Sequence, residues 1–351
     1  MSTFTIPTHI EIGPDSLSKL PALIKAHGTK VLLVHGHRPL EDGLLQKVRV
    51  LLNEEHVPHA NLGQILPNPK YSSVKRGIEV ARKEKCDIIL ALGGGSTLQC
   101  AKGIALGVPY QGDVWDFWTQ KAKPKKALAI ASVLTDPSTG AELSSSCTLV
   151  RKGKQKKIES PFVSCAFAIL DPKLSMLPFY PTMGQCFDTF MLLFIDYFYN
   201  QGMRQDIYAM LMRSLIQATN ALKKDISDIQ ARNDLFWIGL LAHSFHEKNE
   251  CTFSALAQRL AFHYSLNAGN ALSSLFLGWI ESWPEEQTVQ LNTLCASLFP
   301  EEEPIEALKG QMVSMGLALS IPDTGLTVSN DALIKLAESK EEQEILIRSN
   351  R

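Results

Sequence analysis

The chain has 351 residues, of which 45% are hydrophobic and 20% are charged; these values are close to those of globular proteins and exclude extensive disorder. At roughly 150 residues per domain, this length predicts two domains. Lys and Arg number 35 and Asp and Glu number 36, for a formal net charge of −1. That balance excludes a general attraction to nucleic acid or to an anionic membrane, so small-molecule chemistry is the first hypothesis.

The sequence predicts a cytoplasmic protein without a membrane anchor. The first residues lack the basic and apolar regions of a signal peptide. The most apolar stretch, 187–199, is interrupted by Asp188 and Asp196 and is shorter than the roughly 20 residues of a spanning helix. Seven cysteines, an odd number without a CxxC pair, indicate a reducing compartment.

The first half of the chain alternates between strand and helix patterns. Short apolar runs predict strands at 30–34, 57–62 and 87–92, and helical spacing predicts helices at 44–52 and 72–85. This alternation is typical of a mostly parallel sheet built from βαβ units.

Further strands are predicted at 127–133, 147–150 and 162–169, the last two on either side of a basic turn at 151–157. After Asp171-Pro172, helical periodicity continues to the C-terminus. The predicted fold class is therefore an α/β domain, residues 1–175, followed by an all-α domain, residues 176–351.

A glycine cluster, Gly93-Gly94-Gly95-Ser96, follows a predicted strand and precedes a helix-compatible segment at 97–106. Glycines let backbone N–H groups approach an anion closely, and the helix N-terminus behind them favours a phosphate. The alternative is a tight turn whose glycines serve only packing.

A second cluster, from Thr135 to Glu142, follows the next strand, at the edge where open α/β sheets bind ligands. Its hydroxyl groups suit a pyrophosphate or a ribose. The alternative is a polar loop whose Ser and Thr residues only cap local structure.

Both clusters resemble motifs of the iron-containing (group III) alcohol dehydrogenase family. The family's GGGSxxDxAK motif is matched from Gly93 to Lys102, and its TTxGTGSE segment is echoed by Thr135, Thr139, Gly140 and Glu142. Three further matches are Pro67-Asn68-Pro69, Asp171-Pro172 and Met315 to Pro322.

The resemblance implies a Rossmann-like NAD(P)-binding domain and a C-terminal helical domain, an arrangement of the dehydroquinate synthase-like type, in a homodimer. It also implies a small alcohol or carbonyl substrate. The residues that it assigns to the cofactor are Gly94, Gly95 and Ser96 at the pyrophosphate, Thr135 and Thr139 beside the nicotinamide, and Asn68 and Lys157 near the ribose and adenine.

Cofactor choice in such enzymes depends on the position after the first strand, where an acidic residue selects against a 2′-phosphate. The sequence there is Gly36-His37-Arg38, which favours NADP over NAD. The alternative is that Arg38 is only a solvated loop cation.

The family's metal ligands are an Asp, a His four residues later, and two His fourteen residues apart. Only Asp188 is retained; Leu192, Ser254 and Ala268 replace the three histidines. A divalent cation needs most of its ligands at once, so we predict no metal at this site.

Other side chains are candidates for the lost roles. His263, Tyr264 and Gln258 are the candidate proton donors, and His243, His246 and His263 are the histidines that a replacement metal site would use. The simpler interpretation makes His243 a packing residue and His263 a partly buried helical residue.

Basic residues concentrate at 121–126 and 151–157; overall neutrality favours solvated loops over a nucleic-acid site. Three functional hypotheses follow: a metal-independent NAD(P)-dependent reductase or alcohol dehydrogenase, a nucleotide-binding pseudoenzyme, and a scaffold whose cofactor site is lost. The last is suggested by Asp136, a carboxylate next to an expected pyrophosphate.

Overall fold

The computed structural model describes residues 5–38, 43–246, 251–266, 268–300 and 302–351. The chain divides into two compact units, residues 1–176 with 239–244 and residues 177–238 with 245–351. In the described residues no helix is long and apolar enough to cross a membrane.

The first unit is built on a parallel sheet. Its six strands in the described residues are β1 (His9–Ile12), β2 (Val31–His35), β3 (His59–Leu62), β4 (Ile88–Gly93), β5 (Ala129–Leu134) and β8 (Phe167–Leu170). They lie in the order β1-β8-β5-β4-β2-β3, and every neighbouring pair runs parallel. A separate antiparallel pair joins β6 (Ser146–Arg151) to β7 (Lys154–Glu159).

Helices cover both faces of this sheet. They are α1 (Leu20–His27), α2 (Leu44–Glu54), α3 (Tyr71–Lys83) and α4 (Gly95–Gly107). One hydrophobic cluster joins α1 and α2 to Val31 and Leu33, and another joins α3 and α4 to Leu32 and Val34. Successive side chains of a strand point to opposite faces, so a strand buried on both sides has a continuous apolar sequence.

The second unit is helical in its described residues. Its helices are α5 (Phe179–Tyr199), α6 (Met203–Lys224), α7 (Ile229–Phe245), α8 (Thr252–Tyr264), α9 (Ala268–Ile280), α10 (Glu285–Leu298), α11 (Pro304–Ser314), α12 (Asn330–Ile334) and α13 (Lys340–Ser349). Its core contains an aromatic cluster in which Phe276 lies edge-on to Phe187, Phe190 and Phe194, with ring centroids 5.2 to 6.4 Å apart.

Most of the predicted strands and helices are present, with shifts of a few residues at their ends. Two predictions were wrong in part. The basic segment 151–157 is not a loop, because Lys154–Glu159 forms β7 and pairs with β6. The predicted strand at 162–169 is shorter, since Pro161–Val163 forms a turn of 3₁₀ helix and the strand begins at Phe167.

Candidate functional site

The carboxyl ends of the parallel strands place the predicted cofactor residues along one edge of the first unit. Register pairs His35 with Leu92 and Gly93 with Leu134, so Gly36, Gly94 and Thr135 all begin the segments that leave this edge. The chain order also reverses here, because β3 lies on one side of β2 and β4 on the other. Open α/β sheets bind ligands at such a switch point.

The glycine turn, residues 93–96, begins helix α4. Gly93 has φ +137°, a backbone conformation that L side chains rarely adopt. Gly94 is extended and is the N-cap, and α4 begins at Gly95. The first-turn N–H groups of a helix lack intrahelical partners, and with glycine at the cap no side chain covers them. A turn of this geometry is suited to bind an anion through its backbone N–H groups.

The loop after β5, residues 135–140, packs directly against the glycine turn. The Thr135 amide donates to the carbonyl oxygen of Gly93 at 3.2 Å. A Cβ built on Gly95 would lie 3.3 Å from Thr139, and one on Gly94 would lie 3.6 Å from Oδ2 of Asp136. The structure therefore brings Gly94, Gly95, Thr135 and Thr139 together, as their predicted shared role requires.

Asp136 places a carboxylate beside the same turn. Its Oδ1 accepts hydrogen bonds from the Ser138 amide at 3.0 Å and the Ser138 hydroxyl at 2.8 Å. A negative side chain at a helix N-terminus is itself stabilised there. A phosphate bound at this turn would therefore experience Coulomb repulsion from Asp136.

Residues 239–244 of α7 pack on the same loop. His243 Nε2–H donates to the carbonyl oxygen of Ser138 at 2.9 Å, and a Cβ on Gly140 would lie 2.2 Å from the His243 ring. Gly140 has φ +54°, so only glycine satisfies both the backbone and the contact. His243 is a packing residue, as the simpler interpretation held.

Two buried ionisable residues, Lys102 and Glu142, end the two motif segments in the sequence. Lys102 is fully buried on α4, and its Nζ donates to the carbonyl oxygens of Ala141, Ser144 and Ser146 at 2.8, 2.5 and 3.2 Å. Burial lowers the pKa of Lys102. Burial also raises the pKa of Glu142 to about 7, partly offset by the charge of Lys102.

We assigned no role to Lys102 or Glu142 from the sequence. One signal was available for the lysine: it stands within the otherwise uncharged segment from Cys100 to Leu106, and buried ammonium groups need hydrogen-bond partners. Gln99, which replaces the family's Asp, has a structural contact, because its Oε1 accepts from the Thr148 amide at 2.9 Å.

The remaining cofactor candidates, Arg38, Asn68 and Lys157, differ in their contacts and exposure. Arg38 donates from its guanidinium to the carbonyl oxygen of Met176 at 3.1 Å. Asn68 is exposed with φ +55°, and its turn joins the β6-β7 hairpin, since the Val150 amide donates to the carbonyl oxygen of Pro69. Lys157 is exposed on β7 of that hairpin.

The family's metal-ligand positions lie on the helices of the second unit. Asp188 and Leu192 are on α5 and Ser254 is on α8, all partly buried; the side chain of Ala268 lies outside the described part of the structure. Among the described residues, no three His, Cys, Asp or Glu side chains are grouped closely enough to hold a metal ion. A leucine and a serine where imidazoles are needed do not fit a divalent cation.

In the described structure, the remaining candidate histidines and proton donors do not form a single cluster. Nδ1 of His246 lies 2.8 Å from the buried carboxylate of Asp196. His263 is exposed, so the expectation of a partly buried residue was wrong. Its ring packs edge-on to Tyr264 at 4.7 Å. Gln258 is also exposed on α8, but a separation of five residues places it on a different helix face from His263.

The sequence is similar to those of known alcohol dehydrogenases and an aldehyde reductase. The sequence profile described as "Iron-containing alcohol dehydrogenase" matches residues 7–172. The probable NADH-dependent butanol dehydrogenase 1 of Bacillus subtilis is 29% identical over 312 residues, which cover 86% of this chain and 81% of that protein. The NADPH-dependent aldehyde reductase YqhD of Escherichia coli is 32% identical over 181 residues, 49% of this chain and 46% of that protein.

Among solved structures, the NADH-dependent butanol dehydrogenase A of Thermotoga maritima superposes with a TM-score of 0.90 at 24% identity, covering 100% of this chain and 99% of that one. This similarity confirms the predicted fold class, a Rossmann-like parallel-sheet domain followed by a helical domain.

Proposed function

Because the chain belongs to the iron-containing alcohol dehydrogenase family, we propose that it is an NAD(P)-dependent oxidoreductase that interconverts small alcohols with aldehydes or ketones, without the family's metal. The observation that carries the proposal is the glycine turn: Gly93 to Ser96 begin α4 at the switch point of the sheet, with Thr135 and Thr139 alongside. In this proposal residues 1–175 hold the cofactor and residues 176–351 contribute the substrate side.

The proposed cofactor roles are those that the family resemblance implies for residues along this strand edge. Backbone N–H groups of Gly94, Gly95 and Ser96 bind the pyrophosphate, and Thr135 and Thr139 border the nicotinamide. Gly36 lies at the neighbouring strand end, where a ribose is bound in such folds. Both NADH-dependent and NADPH-dependent proteins are among the relatives; Arg38 makes NADP the proposed choice.

The chemistry without a metal has to come from this chain's own side chains. A bound nicotinamide would supply the hydride to the carbonyl carbon, and a side chain of this protein would have to donate a proton to the carbonyl oxygen. His263 or Tyr264 is the proposed donor of that proton. Gln258, on a different face of α8, is an alternative to His263 as a hydrogen-bond donor that would polarise the oxygen. The substrate partner is a small alcohol or carbonyl compound, and the proposed assembly is a homodimer.

A second candidate is a nucleotide-binding pseudoenzyme with no dehydrogenase activity. Two features support it: Leu192 and Ser254 stand at positions where the family resemblance implies metal-binding histidines, and Asp136 lies against the glycine turn. In this case the protein binds NAD(P) and serves as a sensor or an interaction partner.

The deciding experiment is a titration of metal-analysed protein with NADPH and then NADH, followed by energy transfer from tryptophan to the reduced nicotinamide. The proposal predicts saturable binding with no bound metal, followed by nucleotide oxidation in a screen of small aldehydes and ketones. Binding without turnover would favour the pseudoenzyme. Binding of neither nucleotide would contradict both and leave the scaffold hypothesis, and turnover that requires added metal would contradict the metal-independent reaction.

A further inference from the structure

The helical unit contains an aromatic cavity that the dehydrogenase proposal does not use. It lies among the end of α5, the start of α8, the end of α9 and the start of α13, and it encloses about 170 Å³. The residues that matter for its chemistry are Phe198, Tyr199, Trp279, Trp283, Gln287 and Glu341. A single water needs only roughly 10–15 Å³ of such space, so a small organic molecule fits.

Three rings in the lining of the aromatic cavity pack against one another in different orientations. Trp279 and Trp283 have centroids 4.9 Å apart and planes at 85°, and Phe198 lies 4.7 Å from Trp283 at 67°. Indole planes at right angles form a corner, in which one guest can contact more than one ring. Aromatic faces carry a negative electrostatic potential, which favours a cation in such a corner.

Neighbouring buried rings fix the positions of Trp279 and Trp283. Trp279 stacks on the buried Phe253 at a centroid distance of 4.2 Å and an angle of 13°. Phe194, also buried, lies 6.1 Å from Trp279 and 5.8 Å from Trp283. Rings already fixed by their neighbours lose little conformational entropy when a ligand binds.

Among the described residues that line the aromatic cavity, the only side chain that carries a full charge at neutral pH is a carboxylate. Glu341 supplies a carboxylate, and no Lys, Arg or His is among the described residues that line the space. Tyr199 is close to that carboxylate: burial first, then the nearby Cys251 and Glu341, raises the pKa of its hydroxyl. Aromatic faces together with one carboxylate are complementary to a positive charge that cannot donate many hydrogen bonds.

We propose that the aromatic cavity binds a small quaternary ammonium or methylated amine, a cation of the choline class. Its methyl groups would lie against Trp279, Trp283 and Phe198, and Glu341 would balance its charge. A strongly hydrated ion such as an unmethylated ammonium is disfavoured, because the rings cannot replace its water hydrogen bonds. The inference does not depend on nucleotide binding or on dehydrogenase activity.

The test is a titration of the full-length protein, without nucleotide, with choline chloride and with its neutral carbon isostere 3,3-dimethylbutan-1-ol. Binding is followed by the shift of the methyl proton resonances and by tryptophan fluorescence, with sodium chloride matching the ionic strength. The neutral isostere has the same shape but lacks the attraction of a cation to the rings and to Glu341, so choline should bind roughly tenfold tighter than the isostere. Equal affinities, or no saturable binding of choline at millimolar concentrations, would overturn the proposal.

Paired variants locate the site. Glu341→Gln should weaken choline binding roughly fivefold and leave the isostere unchanged, and Trp283→Leu should weaken it tenfold or more. The matched controls are Glu344→Gln, on the same helix but outside the lining, and Trp237→Leu on α7, an indole that is 45% exposed and also outside the lining. If Glu341→Gln has no more effect than Glu344→Gln, the cation is not bound here.

Discussion

The glycine turn of the first unit depends on backbone groups, whereas the expected metal-ligand positions of the second unit depend on side chains. The glycine turn depends on backbone N–H groups and on residues too small to obstruct them, and Gly93 to Ser96 retain that arrangement. The metal positions depend on side-chain donors that must all be present together. Leu192 and Ser254 stand where the family resemblance implies histidine donors, and neither side chain can take the place of an imidazole. A backbone-built site tolerates sequence divergence around it, whereas a side-chain-built site is lost by a few substitutions.

The largest effect is expected from placing histidines at the expected metal-ligand positions. Leu192→His together with Ser254→His and Ala268→His should create zinc binding next to Asp188, because three imidazoles and a carboxylate suit that ion. Structural zinc is worth roughly 10 kcal/mol, so even half of that is a gain in affinity of about 4,000-fold. Metal content is measured after dialysis against zinc.

The control adds Asp188→Ala to the triple variant and should lower the zinc content. Equal metal content in the native protein and the triple variant would contradict the assignment of these positions.

The second prediction concerns the buried carboxyl group of Glu142. The pKa of Glu142 is raised by burial to about 7 from 4.5, so the unfolded chain ionises at lower pH than the folded protein. The neutral form therefore contributes stability that is complete below about pH 4.5 and is lost as the pH rises to about 7, up to about 3 kcal/mol. Glu142→Gln should remove this pH dependence from urea unfolding midpoints measured between pH 5 and pH 8.

Glu286→Gln, at an exposed position of α10, is the control and should keep the native profile. If Glu142→Gln follows the native profile too, this carboxyl does not titrate in that range.

A third prediction tests the glycine turn itself. Gly94→Ala is compatible with the fold, since its Cβ would lie no closer than 3.4 Å to Asp136, an ordinary contact distance. The methyl group nevertheless occupies space where a phosphate would approach the backbone. Nucleotide affinity should fall at least tenfold, about 1.4 kcal/mol, at nearly unchanged thermal stability, as measured by NADPH titration and calorimetry.

Gly310→Ala, in α11 with no atoms near its Cβ, should leave nucleotide binding unchanged. Unaltered nucleotide affinity in Gly94→Ala would place the cofactor elsewhere.

The smallest expected effect concerns the carboxylate at that turn. Asp136→Asn keeps the oxygen that accepts from Ser138 but removes the charge. Two unit charges 4 Å apart interact by about 1 kcal/mol in water, so NADPH should bind roughly fivefold more tightly. Asp225→Asn is the matched control, because Asp225 makes the same pair of hydrogen bonds with Ser227. No gain beyond that control would show that Asp136 does not repel the cofactor.

The difference between the two regions also explains which parts of the structure local sequence could predict. Strands β2, β4 and β5 are mostly apolar runs bounded by residues that end strands. The local sequence therefore predicts that both faces of these strands are buried. The glycine turn is local too, since the strand, the glycines and the helix are consecutive. β1 was not predicted, because it has only four residues, none fully buried, and therefore little apolar signal. β7 was not predicted because its exposed residues, Lys154 to Glu159, carry no hydrophobic pattern.

By itself, the sequence determined the fold class, the βαβ order, the glycine turn and the absence of three histidines from the expected ligand positions. Each is a property of consecutive residues or of a fixed spacing. Tertiary structure alone decided that Asp136 lies against Gly94, that His243 packs on Gly140, that three carbonyls hold Lys102 and that indoles meet at a corner in the helical unit. These contacts join residues far apart in the chain, and their energies depend on distances and burial that exist only once the core has packed.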